Sequence, residues 1–193
     1  MGRSMSLFHW RLAVLALLAS TLLGAGEESP SAGLSVLAIG ANWQADTGES
    51  FPLRQLAGKP HVIAMFYSGC HMSCPLTVEA LKWIEQNLAP RVVDETGFVL
   101  VTLDPGGDTA EELAGFRREA NLSTRWTLLR GTRLATREMA EALGISFQQG
   151  TYRLSHSAAI VVLNAEGRIV SRHTTLRPDL HAVVQSVEAL ASR

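Results

Sequence analysis

The chain's only two cysteines, Cys70 and Cys74, stand in the run Gly69-Cys-His-Met-Ser-Cys-Pro75, directly after the apolar stretch His61-Val-Ile-Ala-Met-Phe-Tyr67. A short, nearly continuous apolar run that follows Gly58-Lys59-Pro60 has the pattern of a strand covered on both faces. Pro75 suits the first position of a helix, where a missing N–H costs nothing. Both sulfurs are therefore expected at a strand-to-helix junction. Unpaired amides and the positive end of the helix dipole favour thiolate over thiol there, and a thiolate is both a nucleophile and a metal ligand.

The rest of the chain supplies what such a junction needs. Apolar positions Ala80, Leu81, Ile84 and Leu88 continue helical spacing from Pro75 until Pro90 stops it. Gly97 to Leu103 reads as a second buried strand, ending at Asp104-Pro105-Gly106-Gly107. Asp108, three residues before Glu111, resembles a capping box opening a helix to about Ala120. A short strand over Trp126 to Leu129 and a helix from Arg133 to Leu143, closed by Gly144, come next. Ser157 to Leu163 and Arg168 to His173 form a hairpin about the turn Asn164-Ala-Glu-Gly167, and a last helix runs from about Pro178 to Ala191. Near the start, Asp46-Thr47-Gly48 within Trp43 to Leu53 predicts another hairpin. Strands alternating with helices, followed by a hairpin and a terminal helix, predict an α/β domain with a central mixed sheet and helices on both faces.

Residues 1–26 have the order of a secretory signal: Arg3, His9 and Arg11, an apolar run Leu12 to Leu23, then Gly24-Ala25-Gly26. About a dozen apolar residues fall short of the ~20 that cross a bilayer, so cleavage after Gly26 and a retained inner-membrane anchor over residues 12–26 are both open. A small, polar linker over 27–33 leads to a folded domain over 34–193. The body is thus expected in the periplasm or cell envelope, where disulfides persist. With 17 Lys and Arg, of which Arg3 and Arg11 lie in the leader, against 18 Asp and Glu, the body is mildly acidic and has no basic cluster. That excludes the electrostatic footprint of a nucleic-acid binder. A monomer is the default for a protein that must present its site.

Three chemistries compete for the dithiol. A structural disulfide closing so small a ring stabilises a chain by roughly 2 kcal/mol, and a domain of this size can bury a sufficient core without one. A reactive dithiol at such a junction suggests a thioredoxin-like site, although three residues separate these cysteines where two are usual. Two soft thiolates with a nearby imidazole would suit copper, Cu(I) especially. Of the six histidines, His9 lies in the leader, and His61, His173 and His181 read as surface or satisfied residues. His156, in Tyr152-Arg-Leu-Ser-His-Ser-Ala158, precedes the strand Ala158 to Leu163, and in a thioredoxin-like fold that loop faces the cysteines. Reductases of that fold place a proline there. His71, beside Cys70, is a competing imidazole, while Met65 reads as packing and Met72 as a gap-filler.

The segments Phe66-Tyr-Ser-Gly-Cys70-x-x-x-Cys74-Pro75, Leu103-Asp104-Pro105-x-x-Asp108-Thr109, Trp126 with Gly131, and Tyr152-x-x-x-His156-Ser157 before a strand and the turn at Gly167 together resemble the SCO/SenC family of thioredoxin-like copper proteins. The resemblance implies one copper ion per chain, Cu(I) or Cu(II), held by Cys70, Cys74 and His156. It implies a metallochaperone that helps mature the CuA centre of cytochrome c oxidase, or another cuproenzyme, by delivering copper, by reducing the recipient's cysteines, or both. A thiol reductant of the envelope would keep its redox-active dithiol reduced. Asp104 recurs in the family near the metal loop and also reads as a turn residue, and Asp108 reads as a helix cap. Family members often carry Pro after the first cysteine, where this chain has His71. A thiol-disulfide oxidoreductase acting on exported proteins without a metal role is the main alternative. A peroxiredoxin-type peroxidase is disfavoured because Tyr67-Ser-Gly precedes Cys70 and the Thr-x-x-Cys arrangement is missing. A binding module with a merely structural disulfide would tolerate serine at both cysteines.

Overall fold

The computed structural model describes residues 35–40, 42–70, 73–149, 154–174 and 178–191. The expected leader, linker and His71 lie outside the described residues, as do Met72 and Tyr152. Among the described residues there are eight strands and five α-helices, the strands being β1 (Gln44–Ala45), β2 (His61–Phe66), β3 (Gly97–Thr102), β4 (Trp126–Arg130), β5 (Phe147–Gln149), β6 (Leu154–His156), β7 (Ile160–Leu163) and β8 (Ile169–His173). The helices are α1 (Ser73–Asn87), α2 (Pro90–Asp94), α3 (Ala110–Glu119), α4 (Arg133–Leu143) and α5 (Leu180–Ala191).

Six strands form one mixed sheet in the order β1-β4-β3-β2-β7-β8. β2, β3 and β4 are mutually parallel, whereas β7 runs antiparallel to β2 and β8 antiparallel to β7. Every residue of β2 and β3 is buried, as their continuous apolar runs predict. Val62, Ala64 and Phe66 of β2 pack with Val78, Leu81 and Ile84 of α1, Leu113 of α3, and Val183 and Val187 of α5. The alternate residues Ile63 and Met65 pack with Met139 and Leu143 of α4 and with Trp43, Leu53 and Leu56 from the N-terminal segment. The period-2 alternation of a strand therefore builds two cores, one on each face. Met65 is core packing, as its position on a strand implies. Fully burying a side chain such as Leu81 or Ile84 is worth about 1.5–3 kcal/mol, so each face has ample apolar support.

The expected N-terminal hairpin is present in a minimal form. Ala45 N–H donates to the Glu49 carbonyl at 2.9 Å and Phe51 N–H to that of Trp43 at 2.8 Å, around a turn whose Gly48 has φ +84°. Its only ladder pair is Gln44 with Ser50. The first arm instead joins the large sheet by pairing with β4, and the second turns into a 3-10 helix at Leu53–Leu56. Two helix starts differ from expectation. α1 is described from Ser73, so Cys74 already lies in the helix ahead of Pro75, the residue expected to open it. The capping box of α3 is formed by Thr109 and Glu112, not by Asp108 and Glu111, which leaves the Asp108 carboxylate for another task. Gly144 does close α4, in the left-handed conformation at φ +69°.

This topology gathers loops at one edge of the sheet. Because β2, β3 and β4 are parallel, the starts of α1, α3 and α4 all lie at their carboxyl ends. β7 enters from that same edge, since Ile160 pairs with Ala64 near the end of β2. The residues just before Ile160, including His156, are thereby brought to the cysteine loop.

Candidate metal centre

Cys70, Cys74 and His156 place one ligand atom each within 4.8 Å of the others, and among the described residues they are the one such group of three. The Cys74 sulfur lies 3.6 Å from His156 Nε2. Both cysteines are present as thiols. Cys70 is 8% exposed and Cys74 only 1%, so the group sits at a rim with Cys70 outermost of the two sulfurs. The Cys74 amide donates to the Cys70 sulfur at 3.4 Å, using one of the N–H groups that a helix start leaves over.

His156 is the last residue of β6, which pairs with β5 in a separate two-stranded ribbon, with Phe147 opposite His156. A loop was expected here; neither Phe147-Gln-Gln nor Leu154-Ser-His has the apolar alternation that marks a strand. The ring is held from two sides. Nδ1 lies 2.9 Å from the Ser157 carbonyl oxygen, and the Tyr67 ring meets the imidazole edge-on with centroids 5.9 Å apart. Tyr67 itself reaches the ribbon, its hydroxyl donating to the Leu154 carbonyl at 3.4 Å. Tyr67 thus joins the cysteine loop to the histidine strand, a role its place at the end of an apolar run does not announce.

A carbonyl oxygen can only accept, so Nδ1 carries a proton, and in the neutral ring the lone pair is then on Nε2, which faces Cys74. This is the arrangement in which a histidine serves as a ligand. Two thiols and a bare imidazole nitrogen make a soft donor set, fitted to copper and poorly fitted to hard cations.

The thiolate expectation fails at Cys74, whose pKa is pushed up to about 12. Burial is the largest cause, followed by its hydrogen bond with Cys70, with further contributions from the charges of Cys70 and Asp108. Cys74 lies in the same apolar cluster as Phe66 and Val78, and desolvation of a charge there outweighs the helix dipole.

Asp104 is placed outside this group. Its carboxylate accepts the Gly107 amide at 3.1 Å, and a side chain at Gly107 would collide with it at 2.5 Å, so it serves the turn after β3. The other described histidines are elsewhere: His61 Nδ1 lies 3.0 Å from the Lys59 carbonyl, His173 Nε2 3.3 Å from Ser171 Oγ, and His181 sits edge-on to Trp83.

Residues 36–192 match the sequence model of the SCO1/SenC family. The chain belongs to that family. A proposed copper-binding protein from Stutzerimonas stutzeri is 23% identical over 126 residues, which cover 63% of this chain. The chain spans only 61% of that relative's length. The fold is shared with a proposed electron-transfer protein from Aquifex aeolicus at TM-score 0.73 and 21% identity, covering 83% of this chain and 95% of that one. It is shared also with Bradyrhizobium japonicum ScoI, solved with copper bound, at TM-score 0.65 and 17% identity, covering 78% and 96%. The mixed sheet with helices on both faces is the thioredoxin-like architecture of SCO1/SenC proteins. Among the described residues no helix is long and apolar enough to cross a membrane.

Proposed function

We propose that this SCO1/SenC protein is a copper chaperone of the cell envelope, in which Cys70, Cys74 and His156 hold one copper ion as cargo. The observation that carries the reading is the convergence of two sulfurs and the His156 Nε2 within 4.8 Å at the rim of the sheet, with Nδ1 of the same ring turned to a carbonyl. Three protein donors leave a coordination position open, which suits handing the ion on through shared ligands better than storing it. The copper-bound state of the Bradyrhizobium relative and the copper-binding description of the Stutzerimonas relative support the reading. The recipient is a cuproenzyme, with the CuA site of cytochrome c oxidase as the candidate the family resemblance offers.

The same dithiol can serve a recipient in a second way. Oxidation of Cys70 and Cys74 to a disulfide releases two electrons and two protons; a recipient's disulfide that takes them up opens to a dithiol ready for metal. Cys70, the more exposed sulfur, makes the mixed disulfide, and Cys74 resolves it by attacking Cys70. Because the disulfide cannot ligate as two thiolates do, copper loading and thiol reduction exclude each other at any instant.

Copper titration of the reduced protein beginning at Glu27 tests the reading, followed by stoichiometry and sulfur-to-copper charge-transfer absorption. One ion per chain is expected, lost or greatly weakened in His156→Ala and retained in His71→Ala. No specific binding by the reduced wild type would leave thiol exchange alone as the activity.

A further inference from the structure

Asp108 stands at a helix start but does not cap it. The residue is only 3% exposed, and its carboxylate accepts from three donors on two different segments. Oδ1 and Oδ2 receive the Ser68 amide at 3.3 and 3.1 Å, Oδ1 receives the Ser68 hydroxyl, and Oδ2 receives the hydroxyl of Thr102, which is fully buried at the end of β3. The Thr102 oxygen accepts the Asp104 amide at 2.9 Å, so its single proton is directed at Asp108. Ser68 lies two residues before Cys70. No positive side chain pairs with this carboxylate among the described residues, so its burial is offset by these hydrogen bonds.

We propose that Asp108 is the positioning residue of the dithiol: it ties Ser68 to the end of β3 and so holds Cys70 at a fixed reach from Cys74 and His156. The inference deepens the proposed function and rests on the dithiol being its working group. A loop untied at Ser68 samples geometries in which the sulfurs are apart, which lowers the effective concentration of one thiol at the other. The Cys70–Cys74 disulfide then becomes easier to reduce, and the three donors are less well arranged for a metal.

The test is the dithiol–disulfide equilibrium against a glutathione redox buffer at pH 7, with no metal present, for wild type, Asp108→Ala, Asp108→Asn and Thr102→Val, each also followed by chemical denaturation. Asp108→Ala is expected to shift the equilibrium constant about tenfold toward the dithiol, or about 30 mV. Asp108→Asn keeps a carbonyl for Ser68 and gives Thr102 an N–H in place of an acceptor, so its constant should stay within about twofold of wild type. Thr102→Val cuts the link to β3 without touching Asp108 and should shift the constant in the same direction, by about threefold, which decides the matter should Asp108→Ala fail to fold. A loss of stability with an unchanged equilibrium would overturn the proposal in favour of a purely structural acid. An Asn variant shifted as far as Ala would overturn it in favour of a charge effect. If wild type itself neither forms the disulfide nor binds copper, the proposed function falls; if wild type does and the variants match it, only the role of Asp108 falls.

Discussion

The Nδ1 atom of His156 lies 2.9 Å from the carbonyl oxygen of the next residue, Ser157, and this contact decides which ring nitrogen faces Cys74. The neutral ring should therefore populate one tautomer, with the proton on Nδ1. In nitrogen-15 NMR spectra of the reduced protein at pH 8, Nε2 should resonate as an unprotonated nitrogen, and adding one equivalent of Cu(I) should move Nε2 far more than Nδ1. An Nε2 found protonated, or a copper-induced shift confined to Nδ1, would remove His156 Nε2 from the ligand set.

The two sulfurs differ in burial, and their chemistry should differ accordingly. Cys74 is 1% exposed with a pKa near 12, so at pH 8 about one molecule in 10⁴ carries its thiolate. Cys70 sits outermost. Alkylation by iodoacetamide at pH 8 should be at least tenfold faster in Cys74→Ser than in Cys70→Ser, measured by mass spectrometry. Equal rates would contradict both the order of attack proposed for thiol exchange and the burial of Cys74.

How much of this was legible in the sequence depends on whether a signal was local. β2 and β3 could be read because residues covered on both faces are apolar without a break, and α4 because Gly144 closes a periodic run. Cys70 and Cys74 declared themselves by adjacency to a strand and a proline. The ribbon carrying His156 could not be read, since its two arms are half-polar and cohere only through each other. Asp108 was misread for a physical reason: an aspartate at a helix start is compatible with a cap and with a buried pin alike, and only the approach of Ser68, forty residues away in sequence, separates them. The pKa of Cys74 was misjudged because the helix dipole is visible in sequence and desolvation is not.

The N-terminal turn is fastened to α3 by a partly buried ion pair. Arg117 on α3 donates from Nε to Asp46 Oδ2 at 2.5 Å and from a terminal nitrogen to Oδ1 at 3.0 Å, and also donates to the carbonyls of Ser123 and Trp126. Asp46→Ala leaves the guanidinium with its carbonyl partners but without a counter-charge. A fully buried pair broken on one side costs 3–5 kcal/mol; with Arg117 partly exposed, about 2 kcal/mol is expected in urea unfolding. Arg117→Ala should cost no less, since it also strands two carbonyls. A loss below about 0.5 kcal/mol in both would show the pair to be an ordinary surface contact.

Acid should weaken the fold through His61, at the end of β2 remote from the cysteines. Its ring is buried beside Gly97, where a Cβ would collide with it, and its pKa is lowered to about 4, first by burial and then by the charge of Lys59, against a raising hydrogen bond to the Lys59 carbonyl. A depressed value means that the folded state resists the proton that the unfolded chain accepts near pH 6.5. The stabilisation is therefore complete above about pH 6.5, falls as the pH drops through the interval down to about 4, and changes little below that. At pH 4.5 the loss amounts to about 2 kcal/mol relative to pH 7.5. His61→Gln, which cannot titrate, should start from a lower stability at pH 7.5 yet lose about 2 kcal/mol less on acidification, with every carboxylate common to both proteins cancelling in the comparison. Parallel pH profiles for the two proteins in urea unfolding would mean that His61 is already charged, or solvated, in the folded state.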